Sequence, residues 1–333
     1  MSSSAAFGST GVQIARVGFG AMGITSFYAG TLETEEHGIK AIEAYAAAAA
    51  PALAHIDTAL IYSNAREGGR HNEEVVGAAL KRVGREKVFL ATKGSMSMKF
   101  EPDSSDAGLR AQLASSLARL GVESVDLYYE HRRDVKTPVE AVAATFKALA
   151  AEGKIRFGGL SECTADELRR ACAVHPIAAI QMEWSLQSRS VERTGLLAAA
   201  RELGVAVVAY SPLGRGMLSG TFASRDELAE NDWRRSQPRF SEALAAANLA
   251  KAAALKSVAA RTQCSTAQLA LAWLLTKGAF PIPGTTHAER AVENVKSGAV
   301  ALSEEDVKEL ESLVSEAEGD RYAGKWGQYE TRS

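Results

Sequence analysis

Four titratable side chains carry the strongest chemical pattern in this chain of 333 residues: Asp57, Tyr62, Lys93 and His131. Asp57, Lys93 and His131 each fall at the end of a short apolar run, and Tyr62 lies five positions after Asp57. A tyrosine phenol, with an ordinary pKa of about 10, is a weak acid. A neighbouring ammonium favours the phenolate and lowers that value. Asp57 would pair with Lys93, hold it in place and offset its burial, while His131 could hydrogen-bond a substrate oxygen. A tyrosine acid tuned by a lysine suits protonation of an alkoxide as it forms from a carbonyl. The carbon must then gain a hydride, which no side chain supplies and a nicotinamide cofactor does. Taken singly, each residue has a plainer reading: a loop tyrosine packs, a strand-end lysine is solvated, and a lone histidine is a satisfied hydrogen-bonder. Their placement at neighbouring strand ends is what argues for catalysis.

Such a convergence requires strands that end side by side. Eight candidates recur along the chain: GFGAM near the start, HIDTA from His55, VFLATKG from Val88, VDLYYEH from Val125, IRFGGLSE from Ile155, IAAIQMEW from Ile177, VAVVAYSP from Val205 and AFPIPG from Ala279. Amphipathic stretches alternate with them. Thr137-Pro138-Val139-Glu140, Thr164 to Glu167 and Ser265 to Gln268 read as capping boxes, the first with proline at the opening helical position. Gly121, Gly153 and Gly204 read as C-caps. A helix starting near Glu35 should end before Pro51. Eight βα units predict an α/β fold, a (β/α)8 TIM barrel with its site at the C-terminal ends of the strands. The gap between VAVVAYSP and AFPIPG should hold a helix pair and an insertion, Ser219 to Phe240, looping over the barrel mouth. The chain reads as one domain over 1–333, with a core of about 12–314 and a C-terminal loop or tail over 315–333.

Composition excludes several function classes. The net charge is −2, with 46% hydrophobic and 23% charged residues, so there is no electrostatic case for nucleic acid or an anionic membrane. The most apolar stretch, AIEAYAAAAAPALA, is mostly alanine and is broken by Glu43 and Pro51, a helix and not a membrane span. Three scattered cysteines, Cys163, Cys172 and Cys264, suggest neither a disulfide framework nor a zinc finger, which fits a reducing, cytoplasmic setting. The N-terminus lacks the features of a secretory signal, and organellar targeting stays open. Six histidines without H-E-x-x-H give no metal site. VGFGAMG contains a literal G-x-G-x-x-G at Gly18, Gly20 and Gly23, but the next helix starts too late to meet a pyrophosphate held there. The glycines read instead as a close turn beside something bulky.

In its ordered motifs the sequence resembles the aldo-keto reductases. GFGAMG, IDTALIY, ATKG, YYEHR, GLSE, QMEWS, YSPLGRG and IPGTTHAERAVEN carry the resemblance from about Val12 to about Val314. GLSE and VHPIAAIQMEWSLQSR bring it nearer to the pyridoxal reductases and the plant auxin-induced-type reductases. The resemblance implies NADPH bound across the barrel mouth, Tyr62 as general acid, Lys93 lowering its pKa, Asp57 paired with Lys93 and also near the cofactor, and His131 orienting a small-molecule carbonyl. Gly20, Ala21 and Met22 would lie near the nicotinamide ribose. Ser161, Glu162 and Gln181 would surround the carboxamide, with Trp184 stacked on the ring and Tyr210 nearby. Ser211, Pro212, Leu213, Gly214 and Arg215 would wrap the pyrophosphate. Ile282, Gly284, Thr285, Thr286, Arg290, Glu293 and Asn294 would hold the adenosine end, where Arg290 and the threonines suit a 2′-phosphate.

Three positions depart from the family pattern. Trp184 stands where many members have tyrosine. Glu162 replaces the asparagine of other branches, and can accept from the carboxamide NH2 but not donate to its carbonyl. Gly284 replaces a lysine that other branches place at the 2′-phosphate, which weakens the case for strict NADPH preference. Candidate substrate-pocket residues are Phe27, Tyr28, Ile61, Phe100, Arg132, Trp233, Tyr322 and Trp326. Arg132 and Arg133 could attract an anionic substrate, although such a pair is more often a solvated loop charge. Two other readings stand beside reduction: a class I aldolase using Lys93 as a Schiff-base lysine, and a cofactor-binding sensor subunit with little turnover. A monomer or small homo-oligomer is expected, and the physiological carbonyl is not legible.

Overall fold

A computed structural model describes residues 4–26, 35–63 and 70–324. The chain opens with an antiparallel hairpin, β1 (Ser4–Ala6) and β2 (Gln13–Ala15), that the sequence pattern did not announce. Its turn packs under the starts of later strands: Ser9 donates its N–H to Gly204 O at 2.7 Å. Phe7, fully buried, projects from it into a cluster with His55, Phe89 and Phe280, ring centroids 5.7, 5.0 and 5.1 Å away. The hairpin therefore closes the floor of the fold with aromatic surface.

Eight parallel strands follow: β3 (Phe19–Gly20), β4 (Ala54–Asp57), β5 (Val88–Gly94), β6 (Val125–Glu130), β7 (Ile155–Ser161), β8 (Ile177–Glu183), β9 (Ala206–Tyr210) and β10 (Phe280–Pro281). Each predicted strand is present, and each pairs with its chain neighbour. The sheet curls until its edges meet, where Gly18 N donates to Pro281 O at 2.8 Å and Gly20 N to Pro283 O at 3.1 Å. Backbone lies against backbone at this seam. A Cβ on Gly20 would sit 2.6 Å from Ile282 O, and one on Gly284 the same distance from Gly20 O. The glycines of VGFGAMG thus serve a close approach, and its bulky neighbour is the last strand.

The period of two along a strand sorts side chains between interior and helical shell. On β5, Phe89 and Ala91 belong to the inner cluster, whereas Val88 and Leu90 pack outward. The shell comprises α1 (Glu35–Ala49), α2 (Asn72–Val83), α3 (Asp106–Leu120), α4 (Val139–Ala151), α5 (Ala165–Val174), α6 (Leu196–Glu202), α7 (Ala245–Ala253), α8 (Leu255–Arg261), α9 (Thr266–Thr276), α10 (Ala288–Lys296) and α11 (Glu304–Leu313). The capping boxes at Thr164 and Ser265 form. The one expected at Thr137 does not: Pro138 occupies the cap position with no side-chain bond. Thr137 Oγ1 instead donates to Asp134 Oδ2, and Glu140 is taken by Arg170. The gap between β9 and β10 holds three helices, α7, α8 and α9, where a pair was expected. Ser219 to Phe240 forms a chain of short 3-10 turns around a small cluster of Met217, Phe222, Leu228, Phe240 and Leu249. After α11, residues 315–324 run irregularly back over the barrel mouth. No helix among the described residues is long and apolar enough to cross a membrane.

Candidate active site

Asp57 closes β4 and Lys93 lies next to the end of β5, and the parallel register turns both side chains into the barrel. Lys93 Nζ is fully buried. It is ion-paired to Asp57 Oδ1 and donates to Thr58 O at 2.9 Å and to the Tyr62 hydroxyl at 3.4 Å. Gln181 Nε2 reaches across from β8 to Asp57 Oδ2 at 2.8 Å. His131 follows β6, its N–H bonded to Gly94 O, and its ring stands edge-on to Tyr62 with centroids 5.8 Å apart. The structure therefore brings all four predicted side chains together at the C-terminal ends of adjacent strands.

The electrostatics of the group follow from its burial. Burial works against the Lys93 ammonium, but Asp57 and Tyr62 outweigh it and hold its pKa above the ordinary value. Burial also raises Tyr62, and Lys93 and Arg132 only partly oppose this, so the phenol lies above its usual value. Lys93 does pull the phenol down as expected, but desolvation of a phenolate in this buried position exceeds the ammonium's pull, so the net value is not lowered. Burial, with Arg132 and Lys93 adding to it, depresses His131 well below the usual imidazole value, so the ring is neutral at pH 7. Its buried Nδ1 has no hydrogen-bond partner among the described residues.

Residues expected around a cofactor line one side of this mouth. Gly20 ends β3, and Ala21 and Met22 open the 3-10 turn after it. Ser161 ends β7, and its Oγ accepts from Arg132 at 3.3 Å. Tyr210 ends β9 on the inner face, with the Arg132 guanidinium 5.8 Å from its ring centroid. Ser211 to Arg215 forms the next turn, with left-handed φ of 48° at Ser211, 57° at Gly214 and 57° at Arg215. Ile282 and Gly284 flank the seam, and Thr285, Thr286 and Arg290 lie about the start of α10, Arg290 exposed. Asn294 is buried on α10. Glu293 turns away to the cap of α9, where Ser265 Oγ donates to it.

Other expectations are corrected by geometry. Trp184 points into the helical shell, with its Nε1 donating to Glu192 at 3.0 Å and its ring 6.1 Å from that of Trp273. Gln181 and Glu183 face the interior, so period-two parity sends Trp184 outward, and Tyr210 presents the available ring. Glu162 is already engaged: it accepts from Tyr210 at 2.8 Å and from both terminal nitrogens of Arg321 at 3.2 and 3.1 Å. Arg215, expected on a pyrophosphate, donates to Glu183 at 3.2 Å and to Arg321 O at 2.7 Å. Arg133 is no solvated loop charge; it is buried on Glu130 at 2.5 Å and on Glu167 at 3.1 Å. Arg132 does face the mouth, donating to the Tyr322 hydroxyl at 3.4 Å.

Among the proposed pocket residues, Tyr322 shares a hydrogen bond with Tyr210 at 2.9 Å. Trp233 lies 5.0 Å from the Arg215 guanidinium. Ile61 and Phe100 are half-buried in the loops after β4 and β5. Phe27, Tyr28 and Trp326 lie outside the described residues. Sequence reasoning missed Arg321, Glu183, Arg239, Thr58 and Asn72. Parity with Gln181 could have found Glu183, whose carboxylate Arg239 also binds at 2.9 Å. Burial raises that carboxyl, but Arg215, Arg239 and Arg321 outweigh it and hold it below the usual range.

The comparisons agree with this geometry. The aldo/keto reductase family model matches residues 16–315. The aldo-keto reductase str7 of Strobilurus tenacellus is 40% identical, over 93% of this chain and 92% of its own. The aldo-keto reductase yakc [NADP(+)] of Schizosaccharomyces pombe is 37% identical, over 92% and 91%. The solved structure of a glycerol dehydrogenase from Gluconobacter oxydans superposes with a TM-score of 0.82 at 26% identity, covering 93% of this chain and 94% of that one. The chain belongs to the aldo/keto reductase family, oxidoreductases that reduce carbonyl compounds with nicotinamide cofactors.

Proposed function

We propose that this protein, acting as a single barrel domain, reduces aldehydes or ketones to alcohols with NADPH, and that Tyr62 delivers the proton. The observation that carries this reading is the Tyr62 hydroxyl 3.4 Å from Lys93 Nζ, whose charge Asp57 balances. A phenol held above its usual value keeps its proton at neutral pH, which suits a donor. Lys93 and the neutral His131 flank the space above Tyr62, where donors meet oxyanion charge without reorganising. His131, protonated at one nitrogen only, would donate to the carbonyl oxygen and set its orientation.

The cofactor supplies the hydride. Two features of the mouth suit it: the buried Nδ1 of His131, without a partner among the described residues, and the switch from negative φ at Leu213 to left-handed φ at Gly214, a turn of backbone N–H groups that favours anions. Tyr210 offers a ring for the nicotinamide, Ser161 and Gln181 offer polar groups for its amide, and Thr285, Thr286 and Arg290 suit a 2′-phosphate. The name of the fission-yeast relative, which carries NADP(+), supports the same preference. An ion-paired, protonated Lys93 is a poor nucleophile, which disfavours Schiff-base chemistry. The test is a panel of aldehydes, including pyridoxal, assayed with NADPH and NADH on wild type and on Tyr62→Phe. The reading expects NADPH-dependent turnover that falls by about 10²- to 10⁴-fold in the variant, with cofactor affinity retained. Undiminished turnover in Tyr62→Phe would overturn it.

A further inference from the structure

Asn72 is fully buried at the start of α2 and does more than begin a helix. Its side-chain amide uses every hydrogen-bonding group that it exposes to the interior. Nδ2 donates to Ala21 O at 2.9 Å and to Thr25 Oγ1 at 2.8 Å, and Oδ1 accepts from Thr58 Oγ1 at 2.6 Å. Its backbone N–H donates to Tyr62 O at 3.1 Å. Thr58 in turn gives its carbonyl to Lys93 Nζ at 2.9 Å. One residue thus ties together the backbone of the proposed acid, the residue that seats its ammonium partner, and the turn beside the proposed nicotinamide position.

The neighbouring cap reinforces the arrangement. His71 Nδ1 accepts from Glu73 N at 3.1 Å, which leaves Nε2–H to donate to Leu60 O at 2.7 Å. Leu60 N is bonded to Lys93 O at 3.1 Å, and Ser63 bridges back to His71. The loop Thr58–Ser63 has no regular structure of its own to hold it. Its placement depends on these bonds from α2 and β5. A buried amide with three satisfied bonds has one geometry, because moving any partner leaves a polar group unpaired in the interior.

We propose that Asn72 is a positioning residue for the reduction: it locks the Tyr62 loop to the Ala21–Thr25 turn, so that proton donor and cofactor are held in one frame. The proposal rests on the reading of Tyr62 as the acid. Asn72 touches neither reacting atom, and it acts through Tyr62. A misplacement on the order of an ångström at a reacting group costs about 10²-fold in rate.

The test is a double-mutant cycle of Asn72→Ala and, separately, Thr58→Val with Tyr62→Phe. It is read by kcat with NADPH, by thermal unfolding, and by the 13Cζ-tyrosine resonance of Tyr62 in cofactor-free protein. That resonance is identified by its loss in Tyr62→Phe. Asn72→Ala is expected to lower kcat by about 10- to 100-fold in the Tyr62 protein, to change it less than about twofold in the Tyr62→Phe background, and to shift the Tyr62 resonance. Thr58→Val, which removes one hydroxyl and keeps the carbonyl to Lys93, is expected to act in the same direction more weakly, and it carries the test alone if Asn72→Ala does not fold. An equal loss of kcat in both backgrounds, or an unmoved Tyr62 resonance, would overturn the proposal and leave Asn72 a structural residue. Full turnover in Tyr62→Phe alone would instead remove the underlying assignment of the acid.

Discussion

Arg321 lies end-on against Glu162, with its two terminal nitrogens 3.2 and 3.1 Å from the two carboxylate oxygens. Both groups are buried, and the pair joins a segment near the C-terminus to the first residue after β7. Glu162 is held there with φ of 54°, a left-handed conformation that a non-glycine residue adopts only when its surroundings fix it. The tail is thereby part of the wall beside Tyr210 and Arg132.

Removing one partner of this pair should cost more than removing both. Arg321→Ala strands a buried carboxylate, for which breaking a buried pair costs about 3–5 kcal/mol. Arg321→Met with Glu162→Gln should recover most of that loss. Denaturant unfolding of the single and double variants measures it, and equal destabilisation in the two would contradict the pairing. Turnover in Arg321→Ala should also fall, because Tyr322 loses the anchor that sets it against Tyr210.

The direction of the Tyr62 shift makes a pH prediction. Burial raises the phenol, so its proton is retained through the neutral and mildly alkaline range. The rate of carbonyl reduction should stay level through pH 8 and 9 and decline only above the ordinary value of about 10. Alcohol oxidation, which needs the phenolate, should rise over the same range. Steady-state profiles in both directions decide it, and a fall in reduction between pH 7 and 8 would contradict the assigned donor.

Lys93 tests charge separately from packing. Lys93→Met leaves Asp57 buried with Gln181 as its partner and removes the group that opposes the rise of Tyr62. The single variant should lose about 3–5 kcal/mol of stability and on the order of 10²-fold in turnover. Adding Asp57→Asn should restore the stability and not the turnover. Parallel recovery of both would mean that the ammonium serves the fold alone.

His55, on the barrel floor, should make the protein sensitive to acid. Burial, more than the smaller and mixed effects of nearby charges, lowers its pKa to about 4, and both ring nitrogens lack partners among the described residues. The unfolded chain binds the proton at its ordinary 6.5, so between the two values stability falls as pH falls. A shift from 6.5 to about 4 corresponds to roughly 3 kcal/mol at about 1.36 kcal/mol per unit. Melting temperatures from pH 6.5 to 4 should drop less steeply in His55→Leu than in wild type. Parallel slopes would show that His55 carries none of this dependence.

The seam offers a stability test of the glycines. Gly20→Ala puts a methyl 2.6 Å from the Ile282 carbonyl, so the last strand must shift. A loss of roughly 1–3 kcal/mol is expected for overpacking of this kind, visible as a lower melting temperature. An unchanged melting temperature would mean that the closure is looser than its hydrogen bonds imply.

The legibility of the chain followed the range of the interactions involved. Strands were readable because each one is a short buried run, and Asp57, Lys93 and His131 were readable because they end such runs. Within a strand, parity was available but unused: Gln181 and Glu183 share a face, and Trp184 must oppose them. Arg321 gave no signal, because the aperiodic tail says nothing of where it returns, and its partner Glu162 is remote in sequence. The direction of the Tyr62 shift was unreadable for a related reason. A nearby lysine can be inferred from strand order, but the depth of burial that outweighs it arises only from the assembled barrel. Asn72 lay hidden in an ordinary helix start, since its partners come from two loops remote in sequence, the turn after β3 and the segment after β4.

The aromatic plug formed by Phe7, His55, Phe89 and Phe280 has a consequence for the catalytic cycle. It seals the underside of the Lys93–Asp57 pair with rings, and its one exchangeable group, the His55 imidazole, has no hydrogen-bond partner among the described residues to which a hydron could be passed. On the proposed reading of Tyr62 as the donor, its recharging then comes from above, by the same door that the alcohol uses to leave. Departure of product and restoration of the acid are then successive uses of one passage, and solvent deuterium would report on that ordering.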